Sequence, residues 1–199
     1  MKYKNLTVSQ KGLSLIESAM VLAISAVVVS GVLYYYNQAQ ENRKLEEGIK
    51  QIQTIAASVN KLYTNSTTSP KSAGDDSKVT EAISAISGIP TKVTNFGTMF
   101  TTPSGQWVQY WSEDNNKYVL ETQVQSVSSC ISYATLNMGT IMAAKTQVFT
   151  GSNSHVNNGN SNSSTNFSLS PSVASDACEK AGKAKGNDEN IKVRYTLRY

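Results

Sequence analysis

The chain has 199 residues, with 18 Lys and Arg against 14 Asp and Glu, one His and two Cys, which allows one or at most two compact domains. A charged fraction of 16% beside 39% hydrophobic residues excludes a chain kept unfolded by self-repulsion. The net charge of +4 is spread without a run of three basic residues, a poor phosphate-binding footprint, so no nucleic acid partner is expected for the folded part.

No charged residue lies between Glu17 and Glu41. As a helix, residues 18–40 would extend about 35 Å, against a bilayer core of about 30 Å. Val21, Leu22, Ile24, Val27, Val28, Val29, Val32 and Leu33 make entry favourable, and the segment reads as transmembrane. Lys2, Lys4 and Lys11 precede it, which puts the N-terminus in the cytoplasm and everything after Tyr36 on the far side. Tyr34, Tyr35 and Tyr36 then sit at headgroup level. A secretory signal peptide is the competing reading, but the run exceeds the roughly 7–15 residues of a signal core and no small-x-small cleavage site follows it. Glu17 lies within Leu13-Ser14-Leu15-Ile16-Glu17-Ser18-Ala19-Met20, where a carboxylate near the bilayer centre costs about 2.5–3.5 kcal/mol. It either marks the cytoplasmic edge of the span or has a function there.

Lys11-Gly12-Leu13-Ser14-Leu15-Ile16-Glu17 followed by an uncharged helix resembles the type III signal of type IV prepilins: a short basic leader ending in Gly, an apolar first mature residue, and Glu as the fifth. Leu rather than Phe at the first mature position, continued by Glu17-Ser18-Ala19-Met20-Val21-Leu22-Ala23, is similar to the type IVb branch and its bundlin-like major pilins. The resemblance implies that prepilin peptidase cuts between Gly12 and Leu13 and that the Leu13 amine is N-methylated. It also implies that Glu17 serves assembly, meeting the Leu13 amine of a subunit already docked. The implied fold is α+β, the type IV pilin fold: a long N-terminal α-helix, transmembrane and then amphipathic, packed on an antiparallel β-sheet with a C-terminal disulfide-bounded region. Its parts would be a cleaved leader (1–12), a transmembrane half-helix (13–40), an amphipathic half-helix (41–63) and a globular head (64–199). The implied partners are further copies of the chain in a homopolymer, the peptidase, pilus assembly machinery in the inner membrane, and inner-membrane lipid before assembly. No cofactor or metal is implied. The prepilin would hold its head in the periplasm and end as an extracellular pilus serving adhesion, aggregation or conjugation.

Beyond the apolar run, Leu45, Ile49, Ile52, Ala56, Val59 and Tyr63 recur at steps of four and three, with Ile55 and Leu62 widening the stripe; this is an amphipathic helix. Leu13 to Tyr63 as one element would span roughly 76 Å. The alternative is two helices hinged at Val27-Val28-Val29-Ser30-Gly31, with Gly48 a second weak point worth about 1 kcal/mol against Ala. Thr64 to Asp76 reads as a loop. A helix is expected over Lys78–Ser87, capped by Ser77 and stopped by Gly88 and Pro90. Gln106–Trp111 and Lys117–Val127 read as a hairpin joined by Ser112-Glu113-Asp114-Asn115-Asn116. Ile191, Val193, Tyr195, Leu197 and Tyr199 alternate with Lys192, Arg194, Thr196 and Arg198, the pattern of a strand with one buried face and one facing solvent or a neighbour.

Cys130 and Cys178 both fall on the exported side, where a disulfide is the natural state and free buried thiols the alternative. Closing that loop is worth roughly 4 kcal/mol on a chain-entropy estimate. The segments Cys130–Thr140 and Ser170–Cys178 are also similar to the cysteine regions of bundlin-like pilins. Ser170 as N-cap and Pro171 at the first helical position start a helix. Gly151 to Ser170 is dominated by Ser, Asn, Gly and Thr and reads as a mobile surface excursion. His155, the single histidine, lies in it, so neither a His-based triad nor a histidine-rich metal site is available. No catalytic residue is assigned. The expected function is that of a major pilin, with a minor pilin or secretion pseudopilin as the first alternative. A membrane-anchored binding protein that never polymerises is the alternative of another class. Removing residues 1–12 takes three lysines and lowers the charge from +4 to +1, so the basic excess belongs mainly to the leader.

Overall fold

The computed structural model describes residues 14–64, 66, 75–156, 167–186 and 190–199. The chain divides into two compact units, Met1–Asn42 and Arg43–Tyr199. One helix, α1 (Leu15–Tyr63), runs through 49 residues without interruption, so the β-branched and glycine stretch at Val27–Gly31 does not divide it in two. Gly12 and Leu13 lie outside the described residues, as does most of the loop expected over Thr64–Asp76.

Within the second unit, the C-terminal half of α1 buries Gly48, Ile52, Ile55, Ala56, Ser58 and Val59. Leu45, Ile49, Leu62 and Tyr63 pack partly buried against the same core, and together these residues carry the stripe read from the sequence. The next helix, α2 (Asp76–Ser87), starts earlier than expected. Asp75 is its N-cap, with its carboxylate accepting from the N–H groups of Ser77 and Lys78. Ser77 accepts instead from Thr98 N–H at 3.3 Å. Asp76 accepts from the N–H and hydroxyl of Ser112 at 3.1 and 2.8 Å, so this acidic pair closes the helix start. Gly88 ends α2 in the left-handed region at φ 72°, the conformation a helix stop favours in glycine.

Seven strands form one antiparallel sheet: β1 (Thr91–Thr94), β2 (Gly97–Thr101), β3 (Trp107–Glu113), β4 (Lys117–Val124), β5 (Gln147–Thr150), β6 (Asn153–Ser154) and β7 (Ile191–Arg198). Their order is β1-β2-β3-β4-β7-β5-β6, which inserts the C-terminal strand between β4 and β5. The β3–β4 hairpin is tighter than expected. Glu113 pairs with Lys117, and Asn115 and Asn116 both take positive φ, at 60° and 56°, a region asparagine tolerates. Val127 does not extend β4 but opens α3 (Val127–Ala134), because Ser126 accepts from Ser129 N–H as N-cap. The helix α4 (Pro171–Ala184) starts on Ser170 with Pro171 in its first turn, as its sequence predicts.

Phe100, Val108, Tyr110, Tyr118, Leu120, Val148, Val193, Tyr195 and Leu197 are buried in one cluster with Ile52, Ile55, Ala56 and Val59. Two buried hydroxyls find backbone acceptors. Tyr118 donates to Ala56 O at 3.4 Å and Tyr195 to Tyr133 O at 2.7 Å. The segment read as a surface excursion is partly built in: Val156 and Leu169 are buried, His155 N–H donates to Val148 O, and Thr146 N–H to Phe167 O. Residues 157–166 lie outside the described part.

Candidate functional site

A helix start leaves four N–H groups without intrahelical partners. At the start of α1, Ser14 and Glu17 satisfy two of them reciprocally. Ser14 N–H donates to Glu17 Oε2 at 2.8 Å, and Glu17 N–H donates to Ser14 Oγ at 3.3 Å, a capping box. The carboxylate also complements the positive end of the helix dipole. The Ser-x-x-Glu spacing is legible in the sequence, but neither the membrane-edge nor the assembly reading of Glu17 anticipates the cap. Gly12 and Leu13, the other residues singled out at this end, fall outside the described residues.

After the cap, α1 exposes its apolar side chains all round. Val21, Leu22, Ile24, Val27, Val28, Val29, Val32 and Leu33 are each more than half exposed. An 18-residue window has a mean hydropathy of 2.1 with none of it buried, so length and composition suffice to cross a membrane. The two serines inside the run do not need water. Ser25 and Ser30 hydroxyls donate to Val21 O and Ala26 O, both at 2.7 Å, which satisfies groups that would otherwise be costly in an apolar surrounding. Such a surface is stable only against lipid or against other apolar helices.

In the second unit, Cys130 of α3 and Cys178 of α4 form a disulfide with Cα atoms 5.9 Å apart. The outer face of the sheet, the one away from the buried tyrosines, is covered by its own side chains. Glu121 on β4 is nearly fully buried and accepts from Arg194 Nε at 2.8 Å, with Arg194 Nη2 at 2.6 Å and Lys192 Nζ at 3.7 Å. The Arg194 guanidinium lies 4.2 Å from the Phe149 ring centre and 5.0 Å from that of Trp111, stacking that suits its weakly hydrated plane. The alternating charges of β7 thus lie on its half-buried side, with Arg198 exposed, in keeping with the one buried and one solvent-facing side read from the sequence. Among the described residues no group of three His, Cys, Asp or Glu side chains is placed to hold a metal ion.

A family model described as Bundlin matches residues 37–198. The major structural subunit of bundle-forming pilus from Escherichia coli O127:H6 (strain E2348/69 / EPEC) is 32% identical over 194 residues, covering 95% of each chain. The subunit of the same description from Escherichia coli O111:H- is also 32% identical over 95% of each chain. Among solved structures, a type IV b pilin from Salmonella typhi aligns with 76% of this chain and 98% of its own at a TM-score of 0.45 and 10% identity.

Proposed function

The chain belongs to the bundlin family, and from that membership we infer how a structural, non-enzymatic subunit of a self-polymerising extracellular pilus is made and assembled. The prepilin inserts with residues 1–12 in the cytoplasm and residues 13–40 across the inner membrane. Prepilin peptidase cuts between Gly12 and Leu13, and the Leu13 amine is methylated. The pilus assembly machinery then moves residues 13–40 from lipid into a bundle of the same segments from other copies, while residues 41–63 carry the head. The observation that carries this reading is the first half of α1, apolar on every side and unburied, with a single carboxylate at its start.

Glu17 is the register device in this scheme. An incoming carboxylate that meets the Leu13 amine of a docked subunit removes two unpaired charges from an apolar surrounding. Breaking one partner of such a buried pair costs about 3–5 kcal/mol, enough to reject a subunit docked out of register. The test is electron microscopy of sheared surface fibres with mass spectrometry of their subunits. Fibres whose N-terminal peptide begins at methylated Leu13 are expected. A membrane protein that still bears Met1 and forms no fibre would overturn the reading in favour of a non-polymerising anchor.

A further inference from the structure

The β1–β2 hairpin lies at one edge of the sheet; its Met99 and Phe100 are buried, but Phe96 is 84% exposed and Val93 76%. An exposed edge strand invites pairing, and proteins usually blunt it with charge or cover; here the tip carries a phenyl ring instead. The tip lies beside the start of α2, since Thr98 N–H donates to Ser77 Oγ at 3.3 Å. At the other end of α2, Ile86 is 47% exposed. It forms, with Ser87 and the outward face of α1 (Lys50, Thr54, Ala57, Lys61), a groove of about 600 Å³. Ser77 and Ile86 are nine residues apart on one helix, so knob and groove are separated by roughly 14 Å along its axis.

We propose that the Phe96 knob of one subunit seats in the α1–α2 groove of the next copy in the pilus. The proposal rests on the polymeric reading above and gives the heads a contact of their own. A knob on one part of a surface and its receptor on another make a heterologous contact, which closes into a ring or propagates as an open filament. The placement of the two at opposite ends of α2 favours stacking along one direction. Charge agrees: the groove is flanked by Lys50 and Lys61, and among the described residues no carboxylate lines it. Beside the knob, the start of α2 carries the cap Asp75, Asp76 and Glu81 against Lys78, with Lys92 on β1. Burying a phenyl ring in a groove that holds Ile86 and Ala57 removes apolar surface from water on both sides.

The test uses full-length chains assembled on cells, with the native cysteines intact. A chain carrying both Phe96→Cys and Ala57→Cys should give, on oxidation of its fibres, a ladder of cross-linked subunits, and neither single variant should. If the double variant forms no fibre, co-expression of the two single variants should give cross-linked dimers in mixed fibres. Phe96→Ser should lower fibre yield about tenfold, corresponding to roughly 1.4 kcal/mol, with the urea midpoint of the monomer unchanged. Fibres without cross-links, cross-links from one cysteine alone, or normal yield from Phe96→Ser would overturn the knob. So would normal fibres from Phe96→Ser that no longer aggregate cells, which would give the ring to another partner. Failure of the unaltered chain to form fibres would instead refute the polymeric reading itself.

Discussion

Gly48→Ala separates what helix propensity says from what packing says. On propensity alone the substitution stabilises a helix interior by about 1 kcal/mol. In the structure Gly48 is buried on α1, and a methyl group built there overlaps the Tyr133 hydroxyl and comes within 3.4 Å of its Cζ. Tyr133 cannot retreat cheaply. Its ring is buried, its carbonyl holds the Tyr195 hydroxyl at 2.7 Å, and its helix is tied to α4 through Cys130. Overpacking of this kind costs about 1–3 kcal/mol, so the net expectation is a loss of about 1 kcal/mol where propensity promises a gain of the same size. Urea unfolding of the full chain in detergent, followed by Trp fluorescence, measures it. Tyr133→Phe removes the overlapping oxygen, so Gly48→Ala should cost less in that background, with a coupling of about 1 kcal/mol in the double-mutant cycle. A more stable Gly48→Ala chain, or additivity of the two changes, would refute the packing argument.

Glu17→Gln keeps the reciprocal cap with Ser14 but removes the charge, so it should insert and be processed normally yet stop fibre growth; normal fibres from the Gln variant would make the cap, not the charge, the important feature. Cys130→Ser should cost roughly 4 kcal/mol by releasing the bridge between residues 48 apart, read as a lower urea midpoint that matches the wild-type chain under reducing conditions. Arg194→Ala leaves Glu121 buried with Lys192 at 3.7 Å as its remaining cation and should cost about 3 kcal/mol, whereas the exposed i,i+4 pair Lys180–Asp176 should cost under about 0.5 kcal/mol when broken. Burial raises the hydroxyls of Tyr110, Tyr118 and Tyr195 far above the ordinary tyrosine range and pushes Tyr133 up to about 12. Since the folded state holds these protons more tightly than the unfolded chain, their contribution is complete below about pH 10 and is lost as pH rises through the folded values. Absorbance titration should show Tyr110, Tyr118, Tyr133 and Tyr195 ionising only as the head unfolds.

Elements with a repeat of their own were legible. The amphipathic half of α1, the alternating β7 and the Ser170-Pro171 start of α4 each carry a local signal that nothing distant overrides. Where the sequence misled, a distant partner had taken the residue. Ser77 looked like the cap of α2, but its hydroxyl is bound to Thr98 of β2 and Asp75 caps instead. Val127 is the expected end of the second hairpin strand, but Ser126 turns the chain into α3. The short strands β1, β2, β5 and β6 offer two to five residues each, too few for a period to be counted. The insertion of β7 between β4 and β5 has no local signature, being set by which strands cover Glu121 on one face and the buried tyrosines on the other.

The cap between Ser14 and Glu17 bears on the assembly role proposed for Glu17. A carboxylate left bare near the membrane would cost about 2.5–3.5 kcal/mol, and a subunit bearing it would be a poor occupant of the bilayer while it waits. The reciprocal bonds to Ser14 lower that cost before any partner arrives, since a cap of this type is worth about 1 kcal/mol. In the proposed docking, one satisfied state would be exchanged for a better one: a buried pair that costs about 3–5 kcal/mol to break, set against about 1 kcal/mol of cap, would still favour growth. On the proposed scheme, a leader still joined to Leu13 would leave Glu17 without a cationic amine to meet, so an uncleaved chain is expected to insert but not to enter fibres.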